Sequence, residues 1–278
     1  MRIARFKVDG TSGWGFVCGD KVCPVTDGTE LMDALADESS LRHLYQAASP
    51  GYGVSEVRFL APIPNPPQFL GIGLNYRLHA AETGAAIPES PVSFSFFNSS
   101  IINPGDAIQV PPISDQVDWE VELGVVIGQE ACCVSEEDAL DHIAGYTIVN
   151  DVSARDIQLS EGQWSRGKSL NTFKPMGPWI VTADELGAAD NLAVKLWVND
   201  NLKQDGETSD LIFNVPQLVS HMSQFLTLGT GAVISTGTPS GVGMARKPPE
   251  YLRPGDQVTL EIEGIGRLSN PVEAACSS

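Results

Sequence analysis

The 278-residue chain combines a hydrophobic content of 42% with a formal net charge of −18. Such a composition supports a folded core and argues against binding to nucleic acid or to anionic membranes, which require a basic surface. The N-terminus alternates like a strand and lacks the apolar core of a signal peptide, and no run approaches the roughly 18 apolar residues of a membrane span. We therefore expect a cytoplasmic protein, and its five cysteines do not form the pattern of a disulfide framework.

The predicted elements divide the chain into two parts. Strands are predicted near 2–8, 13–18 and 21–25, and helices near 29–36 and 39–48. A proline-rich connector follows, with four prolines between residues 62 and 67, and prolines restrict the backbone at such boundaries. The sequence thus predicts a small N-terminal α/β module over residues 1–65 and a larger domain over residues 66–278.

The larger domain begins with an apolar strand, Gln68–Gly73, that leads into a predicted short helix with Asn75 as its N-cap. His79 and Glu82 stand three residues apart, so they are neighbours on one helix face. At this spacing a carboxylate can orient an imidazole base. Taken alone, a chance surface pair is the commoner explanation of the same spacing.

An acidic segment from Asp118 to Gly128 predicts a buried strand, because its second half is β-branched and apolar. Side chains alternate along a strand, so Asp118, Glu120 and Glu122 share one face. A hard divalent cation with oxygen ligands would relieve their mutual repulsion. An edge strand whose acidic face lies in water is the alternative.

A further strand, 145–151, ends at Asp151, and functional side chains often collect at such strand ends. If the next segment is helical, Asp151, Arg155 and Gln158 lie on one side of it. A surface ion pair after an N-cap aspartate is the alternative. The glycine- and proline-rich segment after Trp164 predicts a cationic loop in which Lys168 supplies positive charge, or is merely solvated.

The C-terminal part is predicted to consist mostly of strands and turns. A helix is predicted over about 215–226 with Asn214 as its N-cap, and Ser135–Asp138 resembles a capping sequence that opens a helix to about His142. An apolar strand then runs into a glycine-rich loop that ends near Gly243. The amide groups and hydroxyls of this loop could hold a carboxylate.

Five short motifs, in this order along the chain, resemble those of the fumarylacetoacetate hydrolase superfamily, in its branch that processes acylpyruvates and other 2-oxo acids. They are Gly73-Leu-Asn-Tyr76-x-x-His79-x-x-Glu82, Asp118-x-Glu120-x-Glu122-Leu, Asn150-Asp151-Val-Ser-Ala-Arg155-Asp156-x-Gln158, Gly167-Lys168-Ser169 with Thr172-Phe173-x-Pro175-x-Gly177-Pro178, and Thr236-Gly237-Thr238-Pro239-x-Gly241. They span roughly residues 70–243, and their common order makes them specific as a set.

The resemblance implies an α+β, predominantly β fold, with mixed sheets rolled into a sandwich or barrel, short helices and usually a homodimer. It implies Mg²⁺ or Mn²⁺, with Ca²⁺ as a further option, held by Glu120, Glu122 and Asp151. It also implies catalytic residues His79, Glu82 and Lys168, and substrate-binding residues Tyr76, Arg155, Gln158 and Thr238.

The implied reaction is hydrolytic cleavage of the C–C bond of an acylpyruvate-like 1,3-dicarbonyl acid, which yields a 2-oxo acid and a carboxylic acid. Decarboxylation of an oxaloacetate-type acid, or tautomerisation, isomerisation or dehydration through the same enolate, is the alternative, and a non-catalytic binding protein is another. Two residues depart from the pattern. Phe96 stands where many relatives carry a lysine, and Lys174 stands where they often have a small residue or cysteine. The loss of a cation at position 96 disfavours small, highly charged substrates.

Overall fold

A computed structural model describes residues 1–275. The strands are β1 Arg2–Val8, β2 Thr11–Cys18, β3 Lys21–Pro24, β4 Tyr52–Gly53, β5 Arg58–Leu60, β6 Phe69–Gly73, β7 Val92–Ser95, β8 Ile101–Ile102, β9 Ile108–Val110, β10 Val117–Asp118, β11 Val121–Ile127, β12 Ile143–Asn150, β13 Ser153–Ala154, β14 Lys174–Thr182, β15 Ala193–Val198, β16 Asn201–Glu207, β17 Val233–Ser235, β18 Gln257–Ile262 and β19 Gly266–Ala274. The α-helices are α1 Leu31–Ala36, α2 Glu38–Ala47, α3 Arg77–Thr83, α4 Arg155–Ser160, α5 Ser165–Lys168, α6 Ala183–Leu186 and α7 Val215–Ser223. The cysteines at 18, 23, 132 and 133 are free thiols, and Cys276 lies outside the described residues.

The strands form three sheets. The largest has the main order β4-β3-β2-β1-β14-β12-β11-β17-β6-β7, with β5 paired to β1 and β8 to β14. A second sheet has the order β16-β15-β18-β19-β9, and β10 pairs with β13. The predicted fold, mostly β with short helices, is confirmed, and within residues 1–275 the sheets stay open rather than closing into a barrel. The boundary predicted near residue 65 falls inside the largest sheet, since β1 pairs with β14.

Strand β11 is buried along its whole length because both of its faces are covered. Leu123 and Val125 pack into the larger hydrophobic cluster, whereas Val126 packs into a second cluster with Phe16 and Ile180. Side chains alternate along the strand, so Glu122 points to the face opposite Leu123. A carboxylate in this position cannot reach bulk water, and its charge must be balanced within the protein.

The sheet topology brings separate motifs to one place. Strand β12 runs antiparallel to β11, and the amide of Asp151, just beyond β12, donates to the carbonyl of Glu120 at 2.9 Å. Strands β6 and β17 are parallel neighbours, so the segments that follow them lie at the same edge of the sheet. These segments are α3, which carries His79, and the glycine-rich loop, which carries Thr238. Four of the five motifs therefore converge at this edge.

Two local predictions have different outcomes. The capping of α7 is confirmed, since Asn214 accepts a hydrogen bond from the amide of Gln217 and the two residues form a capping box. The predicted helix after Ser135 is wrong, because the structure has only a 3-10 turn, Ala139–His142, there. Ser135 instead donates its hydroxyl to Asp138, a local side-chain bond that competes with helix formation.

The predicted N-cap Asn75 is also wrong, because α3 begins after Tyr76 and has no side-chain cap. Asn75 is fully buried and its amide joins two distant segments. Its Nδ2 donates to the carbonyl oxygens of Phe213 at 3.0 Å and Thr236 at 2.8 Å, and its Oδ1 accepts from the amide of Phe213 at 2.9 Å. Asn75 thus ties the start of α3 to the glycine-rich loop.

Substitution of Asn75 by alanine is expected to lower the free energy of unfolding by about 3 kcal/mol, because it leaves buried backbone groups without hydrogen-bond partners. Asn75→Asp is the matched variant, since it keeps the acceptor and loses both donors, and it should destabilise the fold as well. Equilibrium denaturation with urea measures both values. A change below about 0.5 kcal/mol for Asn75→Ala, the size of an ordinary surface substitution, would contradict this interpretation.

Candidate active site and metal centre

Three buried carboxylates form the centre of the site. Glu122 lies on β11, Glu120 lies in the break between β10 and β11, and Asp151 follows β12. One oxygen atom of each lies within 4.8 Å of the other two. The predicted group of Glu120, Glu122 and Asp151 is therefore brought together by the fold.

Asp118, which shares the same acidic motif, has a different environment. Its Oδ1 accepts from the amide of Gly243 at 2.7 Å, and its Oδ2 accepts from Arg155 Nε at 2.8 Å. Arg155 then donates through Nη2 to Glu120 at 2.7 Å and through Nη1 to Gln158 at 3.0 Å. Asp118 thus orients a guanidinium that is buried beside the carboxylates.

Lys168 ends helix α5 and is buried, although the segment after Trp164 was expected to be a loop with a lysine that could be solvated. Its Nζ donates to Glu120 Oε2 at 2.8 Å, Asp151 Oδ2 at 2.6 Å and Ser153 Oγ at 3.0 Å. Burial opposes the charged form, but the two carboxylates outweigh it and raise the pKa of Lys168. All three N–H groups of this lysine are directed at the protein.

The pKa values of the two glutamates in the acidic motif are shifted in opposite directions. Burial alone would raise the pKa of Glu120, but Lys168 and Arg155 outweigh it and hold that pKa well below its usual range. Glu122 contacts neither cation and accepts from Ser235 Oγ at 2.5 Å and the amide of Gly237 at 3.0 Å. Burial, together with the charges of Asp151 and Glu120, raises the pKa of Glu122 to about 8.

These carboxylates fit a divalent cation. Each of the three carboxylates brings one oxygen within 4.8 Å of the other two, and burial together with the charges of Asp151 and Glu120 keeps Glu122 from ionising near neutral pH. A cation bound between the three carboxylates would offset this repulsion. A donor set made only of carboxylate oxygens suits Mg²⁺, Mn²⁺ or Ca²⁺. Glu120, Glu122 and Asp151 could thus hold the cofactor that the motifs imply.

Binding of Mg²⁺ is expected to displace a proton from Glu122. In the metal-free protein the pKa of Glu122 is about 8, so its carboxyl holds a proton near neutral pH and must ionise to bind. Protons therefore compete with the metal, and the affinity should rise about tenfold per pH unit from about pH 6 to 8, then level off. Titration calorimetry in two buffers of different ionisation enthalpy counts the released proton. Binding of Mg²⁺ without the release of a proton would contradict the raised pKa of Glu122.

Lys174 is fully buried at the start of β14. Its Nζ donates to the carbonyl oxygens of Val152 at 3.0 Å and Phe173 at 2.9 Å, and its contact with Asp151 Oδ1 at 2.8 Å is ionic. The Nζ atom also lies 4.6 Å from the centre of the Phe96 ring. Burial lowers the pKa of Lys174 to about 8. Strand β14 thus places a cation beside the aromatic ring of Phe96, and the effect of Phe96 on the charge of the substrate stays a prediction.

Substitution of Lys174 by methionine is expected to tighten Mg²⁺ binding about tenfold, since it removes one positive charge beside the ligand Asp151 at nearly constant side-chain volume. Calorimetry measures the affinity. Lys174→Arg, which keeps the charge, is the matched control and should not tighten binding. Weaker binding by Lys174→Met in a folded protein would show that the lysine positions the carboxylate instead of reducing its charge.

The His79–Glu82 pair lies on the other side of the site. His79 Nδ1 is 2.7 Å from Glu82 Oε1, and because a carboxylate accepts, Nδ1 carries the proton. The amide of Gly241 donates to both oxygens of Glu82, at 3.1 and 2.9 Å. Gly241 has a φ of +103°, and a Cβ there would lie 2.1 Å from the carbonyl oxygen of Lys203. The glycine-rich loop thus holds carboxylates of the protein itself.

A cavity of about 220 Å³ lies between this pair and the carboxylates. Its polar lining consists of His79, Thr83, Glu120, Glu122, Arg155, Gln158, Lys168 and Thr238. Its walls include the hydrophobic side chains of Leu74, Phe94, Leu159, Trp164 and Met244, none of which sequence reasoning selected as site residues. No spacing pattern marks these side chains, since they come from five separate segments.

Two predicted site residues have little freedom to contact a ligand. Tyr76 is fully buried and is not among the cavity-lining residues, and the negative charge of Glu122 helps burial to raise the pKa of its hydroxyl. Thr238 lines the cavity, but its hydroxyl donates to Val121 O at 3.0 Å and accepts from Gln204 Nε2 at 2.8 Å. The hydroxyl of Thr238 thus supports the acidic strand, and the contacts of both side chains with substrate stay predictions.

Residues 68–273 match the family model described as fumarylacetoacetate (FAA) hydrolase C-terminal. The chain belongs to the fumarylacetoacetate hydrolase family. It is 42% identical over 255 residues to human oxaloacetate tautomerase FAHD2A, mitochondrial, an alignment that covers 91% of this chain and 81% of that protein. The structure of fumarylacetoacetate hydrolase from Exiguobacterium antarcticum matches with a TM-score of 0.86 at 36% identity, over 99% of both chains. That of 5-carboxymethyl-2-hydroxymuconate delta-isomerase from Mycobacterium smegmatis matches at 0.82 and 35%, over 100% of both chains.

The resemblance drawn from the five motifs is thus confirmed, and the fumarylacetoacetate hydrolase family is a family of enzymes. The names of its members span a tautomerase, a hydrolase and an isomerase, so membership leaves the reaction open among these three. Among the described residues, no helix is both long and apolar enough to span a membrane. The cytoplasmic location and the homodimer stay predictions.

Proposed function

We propose that this chain is a divalent-metal-dependent enzyme that moves a proton between C3 and the C2 oxygen of a 2-oxo acid, a keto–enol tautomerase. One observation carries this proposal: an imidazole oriented by a carboxylate shares a small cavity with Glu120 and Glu122, two of the three clustered carboxylates. The name oxaloacetate tautomerase of a relative that is 42% identical supports the same reaction type.

His79 is the base in this reaction. Its Nδ1 proton is held by Glu82, so the lone pair of Nε2 is available to the cavity that His79 lines. Nε2 accepts the proton from C3, the C–H electron pair forms the C2=C3 double bond, and the carbonyl pair moves to the oxygen. The imidazolium then returns the proton to that oxygen, which gives the enol. Glu82 stabilises the imidazolium while the proton is held.

The C2 oxygen becomes negative during the transfer, and the cavity floor provides donors for it. Arg155 and Gln158 both line the cavity and are joined by a hydrogen bond, so each restricts the orientation of the other. A bound divalent cation would supply Lewis acidity at the carbonyl. Because the donors are oriented before substrate arrives, they stabilise the developing charge without reorganisation.

Hydrolysis of an acylpyruvate is the second candidate. It is favoured by the fixed position of Glu82, which both His79 and the amide of Gly241 hold, because a base oriented in this way can also activate water. Such a water would attack the distal carbonyl of a 1,3-dicarbonyl acid. The product after C–C cleavage is the same kind of enolate, so both reactions use the same residues.

Absorbance of the enol near neutral pH tests the proposal. Oxaloacetate, phenylpyruvate and benzoylpyruvate are each incubated with the protein and Mg²⁺, Mn²⁺ or a chelator, and products are separated by chromatography. Tautomerisation is expected to accelerate for at least one acid, only with metal and without loss of carbon. Formation of two acids from benzoylpyruvate identifies the hydrolase instead, and release of CO₂ from oxaloacetate identifies a decarboxylase. No acceleration for any acid would refute the proposed function.

A further inference from the structure

The cavity above the carboxylates has an aromatic wall. The rings of Phe94 and Trp164 pack edge to face with their centroids 5.5 Å apart. Gly73 makes this arrangement possible, because a Cβ at that position would lie 2.3 Å from the Trp164 ring. The indole is therefore packed directly against the end of β6, where it fixes one side of the cavity.

The rest of the wall is aliphatic. Leu74, Leu159 and Met244 line the cavity from the end of β6, from α4 and from the segment after the glycine-rich loop. The side chain of Leu159 is 66% exposed, so it stands at the mouth of the cavity. A ligand whose head reaches the carboxylates would thus place its distal end among apolar side chains.

The cations that line the cavity are already engaged. Arg155 donates to Asp118 and Glu120, and Lys168 donates to Glu120 and Asp151. Within residues 1–275, no other Lys or Arg lines this cavity. A negative group at the distal end of a ligand would therefore find no cation that lacks a carboxylate partner.

The charges at the floor of the cavity also disfavour a ligand with a second negative group. Glu120, Glu122, Arg155 and Lys168 line the cavity, and Asp118, Asp151 and Lys174 lie directly behind them, so four carboxylates are clustered with three cations. With a divalent cation bound, the floor would carry one net positive charge, which the carboxylate of a 2-oxo acid neutralises. A second substrate carboxylate would add an unpaired charge next to an apolar wall, which is unfavourable.

We propose that the distal group of the substrate is uncharged and apolar, such as an aryl or branched alkyl group, and that Phe94, Leu159 and Trp164 select it. The substrate class is therefore a 2-oxo acid with one carboxylate. This inference rests on the proposed function and separates the chain from a relative whose name specifies oxaloacetate, a dicarboxylate.

The test compares phenylpyruvate with oxaloacetate on the Mg²⁺-loaded protein. Tautomerisation followed by absorbance gives kcat/KM for each acid, and calorimetry gives the affinity for each. We expect phenylpyruvate to be preferred about 100-fold in kcat/KM and to bind more tightly, because the ring buries apolar surface where a carboxylate would be left unpaired.

Variants at Leu159 separate the effect of charge from the effect of lost apolar surface, since a substitution at this exposed position should leave the fold intact. Leu159→Arg places a cation at the mouth of the cavity. It should raise kcat/KM for oxaloacetate and so reduce the preference for phenylpyruvate about tenfold. Leu159→Gln introduces a polar side chain without the charge. It should lower kcat/KM and affinity for phenylpyruvate without raising either value for oxaloacetate. Equal gains for oxaloacetate in both variants would exclude charge as the determinant.

The outcomes distinguish this inference from the function on which it rests. If none of the three acids, benzoylpyruvate included, is tautomerised faster with metal, the proposed reaction is wrong, yet the calorimetric order of affinities for phenylpyruvate and oxaloacetate still decides which distal group the cavity accepts. Oxaloacetate that binds or reacts as well as phenylpyruvate overturns the inference, even if the protein proves to be a tautomerase.

Discussion

Substitution of Glu122 by glutamine is expected to weaken Mg²⁺ binding at least about 100-fold and to reduce turnover at least about 1000-fold, because it removes one of three charged ligands. Glutamine has nearly the same shape and can keep the hydrogen bonds that Ser235 and Gly237 donate to this position. Calorimetry with Mg²⁺ and the enol absorbance assay measure the two effects.

The same variant makes a second prediction that a merely damaged fold would not meet. Burial and the charges of Asp151 and Glu120 raise the pKa of Glu122 to about 8, which means that the fold disfavours the charged carboxylate. A neutral glutamine should therefore not destabilise the metal-free protein. The melting temperature of the metal-free variant should equal or exceed that of the parent at about pH 8, where about half of Glu122 is ionised. Glu130→Gln, at an exposed position, is the control. Metal binding within about threefold of the parent in Glu122→Gln would refute the metal site.

Substitution of His79 by alanine is expected to lower kcat about 10²- to 10⁴-fold while leaving the affinity for Mg²⁺ nearly unchanged, because the imidazole acts on the proton and not on the metal. Glu82→Gln should cost less, about 10²-fold, since Gly241 still holds the side chain while the charge that stabilises the imidazolium is lost.

Added imidazole should restore part of the activity of His79→Ala and none of that of Glu122→Gln. This contrast separates a missing base from a missing metal ligand in two proteins with similarly low activity. If Glu82→Gln turned over substrate within about twofold of the parent, the dyad would have no catalytic function, and the base would have to be sought elsewhere in the cavity.

Much of this site is predictable from the sequence because its chemistry is concentrated in short motifs. Strand alternation places Glu120 and Glu122 on one side, and helical spacing places His79 beside Glu82, so each half of the site follows from local geometry. The meeting of Asp151 with Glu120 depends on the antiparallel pairing of β11 with β12, which no local pattern specifies. The resemblance to a family supplied that step.

Other features depend on tertiary contacts and escaped prediction. Asn75 has the side chain of a good N-cap, but burial between two loops gives its amide three backbone partners outside the helix. Lys174 departs from the family pattern, yet only the position of β14 shows that it lies beside Phe96 and Asp151. The same holds for Trp164, which reaches the cavity only because Gly73 leaves room for its ring.

Deuterium uptake at C3 of phenylpyruvate in D₂O tests the central claim, metal-dependent proton transfer by His79, most directly. Proton NMR with Mg²⁺ follows the exchange in the parent protein, in His79→Ala and Glu122→Gln, and in the parent with chelator. The proposed mechanism predicts rapid loss of the C3 proton signal in the Mg²⁺-loaded parent alone, at a rate that exceeds the others at least about 100-fold. Uptake that persists with chelator, or that is equally fast in either variant, would contradict it.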